Sequence, residues 1–124
     1  MLKTLAELGG ECIMLYINTD GTIQLTRGDT ARLSVDINND VVGDKYEIQS
    51  EDLLFLTVRK RVSDSQYSFQ KKVVGSNMFH ILPSDTEELS FGKYVYDVQL
   101  TTKEGDVYTV IGPSTFEILK EVTY

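Results

Sequence analysis

Polar and apolar residues alternate most regularly between Gly92 and Thr101. Tyr94, Tyr96, Val98 and Leu100 fall on one side, and Val95, Asp97 and Gln99 on the other. A period of two over that length predicts a half-buried strand. Residues 106–111 predict the strand that returns beside it, with Lys103-Glu104-Gly105-Asp106 as the reversal. Ala31, Leu33, Val35 and Ile37 alternate as strictly with Arg32, Ser34 and Asp36, and predict another strand with one buried face.

The remaining elements follow from shorter runs. Residues 14–18 and 22–26 read as paired strands around Thr19-Asp20-Gly21, where Asp-Gly is a hairpin signal. Arg27-Gly28-Asp29-Thr30 is the next reversal. Tyr46 and Ile48 suggest a short edge strand, closed by a turn at Glu51-Asp52. From Leu53 to Val62 one face is apolar throughout, while the other turns basic at Arg59 and Arg61. The Arg59-Lys60-Arg61 cluster reads as a solvated or edge-blunting face. Tyr67 to Val74 and Met78 to Leu82 are further strands. Gly112-Pro113 breaks the strand that begins at Asp106, and Thr115 to Leu119 is the last one, because Pro is excluded from a central ladder position.

One helical turn is expected near residues 84–89, capped by Ser84 or Asp85, with Glu87 or Glu88 returning the bond and Leu89 anchoring it. Leu2, Leu5 and Leu8 recur at spacing three, so residues 1–13 read as an N-terminal extension, either a short helix or a loose tail. Met14 is an alternative start. Residues 14–124 read as a single domain. About eight short strands without a long helix predict an all-β, antiparallel β-sandwich of 7–9 strands. Gly92-Lys93-Tyr94-Val95-Tyr96 matches part of a corner found in immunoglobulin-like sandwiches. There a tyrosine hydroxyl bonds upstream backbone, two residues before a core position. Tyr94 would be that tyrosine, and Tyr96 would fill the core.

Composition changes this picture mainly by exclusion. The chain has 124 residues, enough for one real core, and 41% are hydrophobic, which sets it apart from disordered chains. Its formal net charge is -7, with 19 acidic residues against 12 basic ones, so nucleic acid and anionic membrane surfaces are not expected partners. Cys12 is the single cysteine, so no intrachain disulfide supports the fold. No signal peptide is expected, because Glu7, Gly9, Gly10 and Glu11 interrupt the first apolar stretch.

Candidate chemistry is sparse, and no catalytic, cofactor or metal site is expected. His80, the single histidine, reads as an exposed strand residue rather than the partner of Cys12. Arg27-Gly28-Asp29 would serve cell adhesion only from an exposed loop tip, and otherwise reads as a turn built on Gly28. Asn38-Asn39-Asp40 to Asp44 lacks the spacing of a calcium loop. Asp97 beside Tyr96, or Asp85 with Glu87 and Glu88, make no acid/base couple, since adjacent strand residues face opposite sides and the turn acids are solvated. Tyr46, Tyr67, Tyr108 and Tyr124 would bind carbohydrate if they formed a planar row.

Several stretches carry a family resemblance: residues 23–30, Phe69-Gln70-Lys71, Pro83-Ser84-Asp85-Thr86, residues 89–101 and Phe116-Glu117-Ile118. The resemblance as a whole spans about residues 14–123. They resemble small immunoglobulin-like proteins from prophages of Gram-positive gut bacteria, similar to the N-terminal domains of phage baseplate and tail proteins. The resemblance implies a non-catalytic virion structural or accessory part. It would pair with other phage structural proteins or with itself, reside in the bacterial cytoplasm during assembly, and reside in the particle afterwards. The alternative is a carbohydrate- or ligand-binding sandwich module.

Overall fold

The computed structural model describes residues 2–8, 15–17, 21–39 and 46–120. Among them lie nine strands: β1 (Leu2–Leu8), β2 (Leu15–Ile17), β3 (Ile23–Thr26), β4 (Ala31–Asn39), β5 (Leu53–Arg59), β6 (Phe69–Val74), β7 (Met78–Ile81), β8 (Gly92–Thr101) and β9 (Val107–Leu119). One helical turn, α1 (Pro83–Thr86), joins β7 to β8. A three-stranded sheet of order β1-β4-β7 packs on a six-stranded sheet of order β2-β3-β9-β8-β5-β6. The fold is an all-β sandwich, with the first, fourth and seventh strands in one sheet and the closing β8–β9 hairpin between β3 and β5 in the other.

Alternation places the core. Ala31, Leu33, Val35 and Ile37 of β4, Leu54, Leu56 and Val58 of β5, and Tyr94, Tyr96, Val98 and Leu100 of β8 all turn inward and are buried. Phe116 sits among them, edge-on to Tyr96 at 6.2 Å between ring centroids and to Phe69 at 5.8 Å. Such edge-to-face pairs contribute roughly 0.5–1.5 kcal/mol beyond burial alone.

The expected corner is present. The Tyr94 hydroxyl donates to the Ser90 carbonyl at 2.9 Å, with Ser90 Oγ at 3.1 Å. Two residues on, Tyr96 is buried, and its hydroxyl donates to the Gly21 carbonyl just before β3. In antibody domains a disulfide cysteine occupies the position two residues after the corner tyrosine. Here an aromatic ring with a hydrogen-bonding tip takes that place.

Several elements differ from the sequence reading. Leu2–Leu8 is not a helix. It pairs antiparallel with β4 along its whole length, from Leu2 opposite Asn39 to Leu8 opposite Leu33. An isolated helix this short is marginal in water, whereas the ladder gives every second backbone group a partner on an edge that β4 would otherwise expose. This part of the N-terminal extension therefore belongs to the smaller sheet.

One ladder is parallel rather than antiparallel: Ile23 to Thr26 pair with Phe116 to Leu119. Both strands run toward the end of the sandwich that carries α1, because Arg27-Gly28 follows β3 there and Gly28 N–H donates to Thr86 Oγ1 at 2.9 Å. Gly112-Pro113 does not end a strand. β9 continues through it, and the register shifts between the pair Val98–Ile111 and the pair Tyr96–Ser114. The unpaired bulge is where a strand tolerates a proline that lacks an N–H.

Tyr46 and Ile48 form no strand, although Tyr46 N–H donates to Ile37 O at 2.6 Å. Nor is the basic Arg59 cluster at an edge, because β5 lies between β6 and β8. The edge strand on that side of the sheet is β6, and its lysines are Lys71 and Lys72. The helical turn begins one residue before the expected caps. Pro83 takes the first helical position, which needs no N–H, and the Asp85 carboxylate accepts from Leu82 N–H at 2.8 Å. Glu87 and Glu88 stay exposed, and Leu89 packs against the core as expected.

Tyr94→Phe is expected to lower stability by about 1 kcal/mol, the net worth of one hydrogen bond, with an unchanged denaturant slope in urea unfolding. Gly75 has φ +65°, and an added Cβ would lie 3.0 Å from the Ser50 carbonyl oxygen. Gly75→Ala is therefore expected to lose roughly 1–2 kcal/mol or more. Gly112→Ala, whose added Cβ meets nothing within 4 Å, should be near neutral in the same assay.

Candidate functional surface

The polar residues of interest scatter over the sandwich, and their placement follows from strand parity. Asp97 and Tyr96 face opposite sides of β8, so the carboxylate lies on the outer face and the phenol in the core. Asp97 falls where the bulge leaves β8 without a partner from β9, and it pairs with Arg59 Nη1 at 3.3 Å. Burial raises its carboxyl above the usual range, and the Arg59 guanidinium opposes that rise. Asp85 is held by Lys71 Nζ at 3.0 Å as well as by Leu82 N–H, so it fixes the turn rather than facing Glu87 and Glu88.

Arg27-Gly28-Asp29 is a turn built into the body. Gly28 takes φ 83°, a conformation open to glycine, and Asp29 N–H donates to Thr26 O at 3.1 Å. Arg27 N–H donates to Leu119 O at 3.0 Å, and its guanidinium reaches Leu89 O at 3.3 Å and stacks 4.1 Å from the Phe91 ring centroid. All three residues are half-buried, so no loop tip presents the tripeptide. His80 is exposed on β7, opposite Arg32 of β4. Cys12 and Tyr124 lie outside the described residues, and so does the loop from Asp40 to Asp44.

The tyrosines weighed for carbohydrate do not form a row. Tyr67 follows β5 at the α1 end, whereas Tyr108 opposes Leu100 near the hairpin tip. Tyr46 is engaged. Its hydroxyl donates to the Asp52 carboxylate at 2.6 Å, and the same oxygen accepts from Gln49 N–H at 2.9 Å. Asp52 is 2% exposed and its carbonyl accepts from Gly75 N–H, so one acid ties the segment after β4 to the turn before β7. Burial, reinforced by the Asp52 carboxylate, pushes the Tyr46 phenol up to about 12. Sequence reading missed this anchor, because Tyr46 and Asp52 share no strand face and no motif. Shallow hollows of about 290 and 320 Å³ flank Tyr46, and both have mainly polar walls. Sites for drug-sized ligands are mostly apolar.

Charge and exposed apolar area concentrate at the two ends. At the hairpin tip, residues 103–109 are all exposed, including Glu104, Asp106, Val107 and Tyr108. At the α1 end, Arg27 lies over Phe91 and Lys60 Nζ lies 4.4 Å from the Tyr94 ring centroid. Lys93 is exposed between those two aromatics in sequence, and Val62, Tyr67 and Phe91 are exposed at the same end.

No known protein family matches the chain, and no curated protein matches it.

The Tyr46 phenol carries a testable pH dependence. Its folded value of about 12 exceeds the ordinary 10.0, so the protonated form is favoured in the folded state. Its contribution is fully present below pH 10 and is lost as pH rises through 12. In tyrosinate absorbance titrations of folded protein, one late-titrating tyrosine is expected, and Tyr46→Phe should remove it. The variant should also lose less stability than the parent between pH 10 and pH 12.

Proposed function

We propose that this chain is a non-catalytic structural or accessory component of a phage or prophage particle, in the tail, the baseplate or a related assembly. The observation that carries this reading is where the resembling stretches fall. Pro83–Thr86 is the corner turn, Gly92–Thr101 is the central strand of the larger sheet, and Phe116 is the hub of the core. The resemblance thus rests on elements that build a sandwich, not on a reactive site. Three buried or half-buried acids fit the same reading. Asp52, Asp85 and Asp97 each bind side chains or backbone of their own chain.

In this role the partners are other particle proteins, and the surfaces for them are strand edges and sandwich ends. The acidic balance disfavours nucleic acid and anionic membrane as partners. The carbohydrate-binding alternative ranks second, since Tyr67 and Tyr108 stand at opposite ends of the larger sheet.

The test is mass spectrometry of purified particles induced from the source bacterium. The chain is expected at a fixed ratio to a tail or capsid protein. Particles that are intact and infectious without it would overturn the reading.

A further inference from the structure

Strand β6 ends the larger sheet on one flank, and among the described residues no strand pairs with its outer side. Gly75 N–H donates to Asp52 O at 2.8 Å, one step past the pair Val74–Leu53. Bonded and non-bonded pairs alternate in an antiparallel ladder, so this one bond sets the order along β6. Phe69, Lys71 and Val73 turn their backbone groups to β5, while the N–H and C=O of Gln70, Lys72 and Val74 face outward. The side chains of those same three residues are exposed on the outer face of the sheet, Val74 by 56%. An edge of this kind is a template for one more strand. The neighbouring edge strand β7 is less open, being four residues long with Met78 N–H already donating to Ser76 Oγ at 3.1 Å.

The charge of this flank departs from that of the chain. Residues 65–84, which build β6 and β7, hold no Asp or Glu, although the chain has 19 acidic residues. The acids that approach from elsewhere are engaged or stand apart. Asp85 is held by Lys71 on the inner side, Glu51 by Lys103, and Glu47 lies beyond the end of β6, by Gly75 and Ser76. Lys72 makes no ion pair among the described residues, and its neighbours on the outer face are Gln70, Val74, Leu53, Phe55 and Thr57. The lysines reject a strand of their own kind. In the two fullest registers of an antiparallel β6–β6 pair, Lys71 or Lys72 meets its own copy, and like charges directly opposite are destabilising. An opposite charge at the same place is stabilising, so the edge discriminates between strands by charge.

We propose that β6 is a docking edge for an extended segment of a partner protein, one that carries a carboxylate opposite Lys72 and an apolar side chain, two residues away, opposite Val74. Backbone bonds to the outward groups hold such a strand, and the two side-chain pairs set its register. That the partner is another particle protein rests on the reading above, whereas the chemistry of the edge does not.

The test is amide-resolved NMR of the full chain, titrated to millimolar concentration with the blocked peptide Thr-Val-Thr-Glu-Thr-Val-Thr. Its glutamate and both valines share one face, so it fits in either strand direction. The amide protons of Gln70, Lys72 and Val74 are expected to shift downfield and exchange more slowly. Those of Phe69, Lys71 and Val73, already turned to β5, should move little. Lys72→Glu changes one exposed side chain and should weaken binding about fivefold, with the preference reversed toward the same peptide carrying lysine in place of glutamate. Absence of shifts, shifts without the alternation, or equal binding of the two peptides by the parent chain would overturn the proposal. None of these outcomes alters whether the chain is found in particles, so the docking edge and the particle reading fail separately.

Discussion

Burying a tyrosine ring imposes a condition: the hydroxyl at its tip must find an acceptor inside the protein. β8 meets that condition twice on one face. Tyr94 finds its acceptor in the Ser90 carbonyl, and Tyr96 finds it in the Gly21 carbonyl, just before β3 of the same sheet. The first bond fixes how the chain enters β8 after α1. The second ties the turn before β3 to the centre of the larger sheet. Phe116 then packs against Tyr96 and Phe69, so β3, β6, β8 and β9 share one aromatic hub. Without a disulfide across the sandwich, these bonds and contacts join segments far apart in sequence.

The rest of the polar chemistry is organised around similar local debts. Asp52 satisfies the Tyr46 phenol and the Gln49 N–H, and Asp85 satisfies the start of α1 and Lys71. Asp97 neutralises Arg59 at the point where the β8–β9 ladder is interrupted. The ion pairs of Asp85 with Lys71 and of Asp97 with Arg59 are half-buried, and desolvation offsets much of the attraction in such pairs. Their effect is positional. The charges left over sit on turns, strand edges and sandwich ends, which are the surfaces available to partners.

Legibility in the sequence followed the number of buried faces. β4 and β8 each bury one face, so alternation alone revealed them and their inward residues. The β8–β9 hairpin and the tyrosine corner were legible because turn chemistry and a spaced pair of tyrosines are local signals. β1 was not, since leucines at spacing three imitate a helix, and only a partner strand distant in sequence decides otherwise. The position of β5 inside the sheet, and of Lys71 and Lys72 at its edge, is a matter of strand order, which composition does not encode. Pro113 read as a strand end because a bulge needs the partner strand to be seen. The cation–aromatic contacts of Arg27 and Lys60 unite residues from separate turns, and no spacing rule announces them.

The bulge at Gly112-Pro113 divides the longest strand into two stretches with different duties. Toward the tip, β9 pairs with β8 alone from Val107 to Ile111. Beyond the bulge, residues 116–118 are held by both β8 and β3. A force applied at the tip would therefore meet a ladder on one side of β9 as far as Thr115 and stop at Phe116, where ladders on two sides must break at once. The parallel ladder to β3 acts as a mechanical stop, letting the outer arm yield while the aromatic hub stays closed.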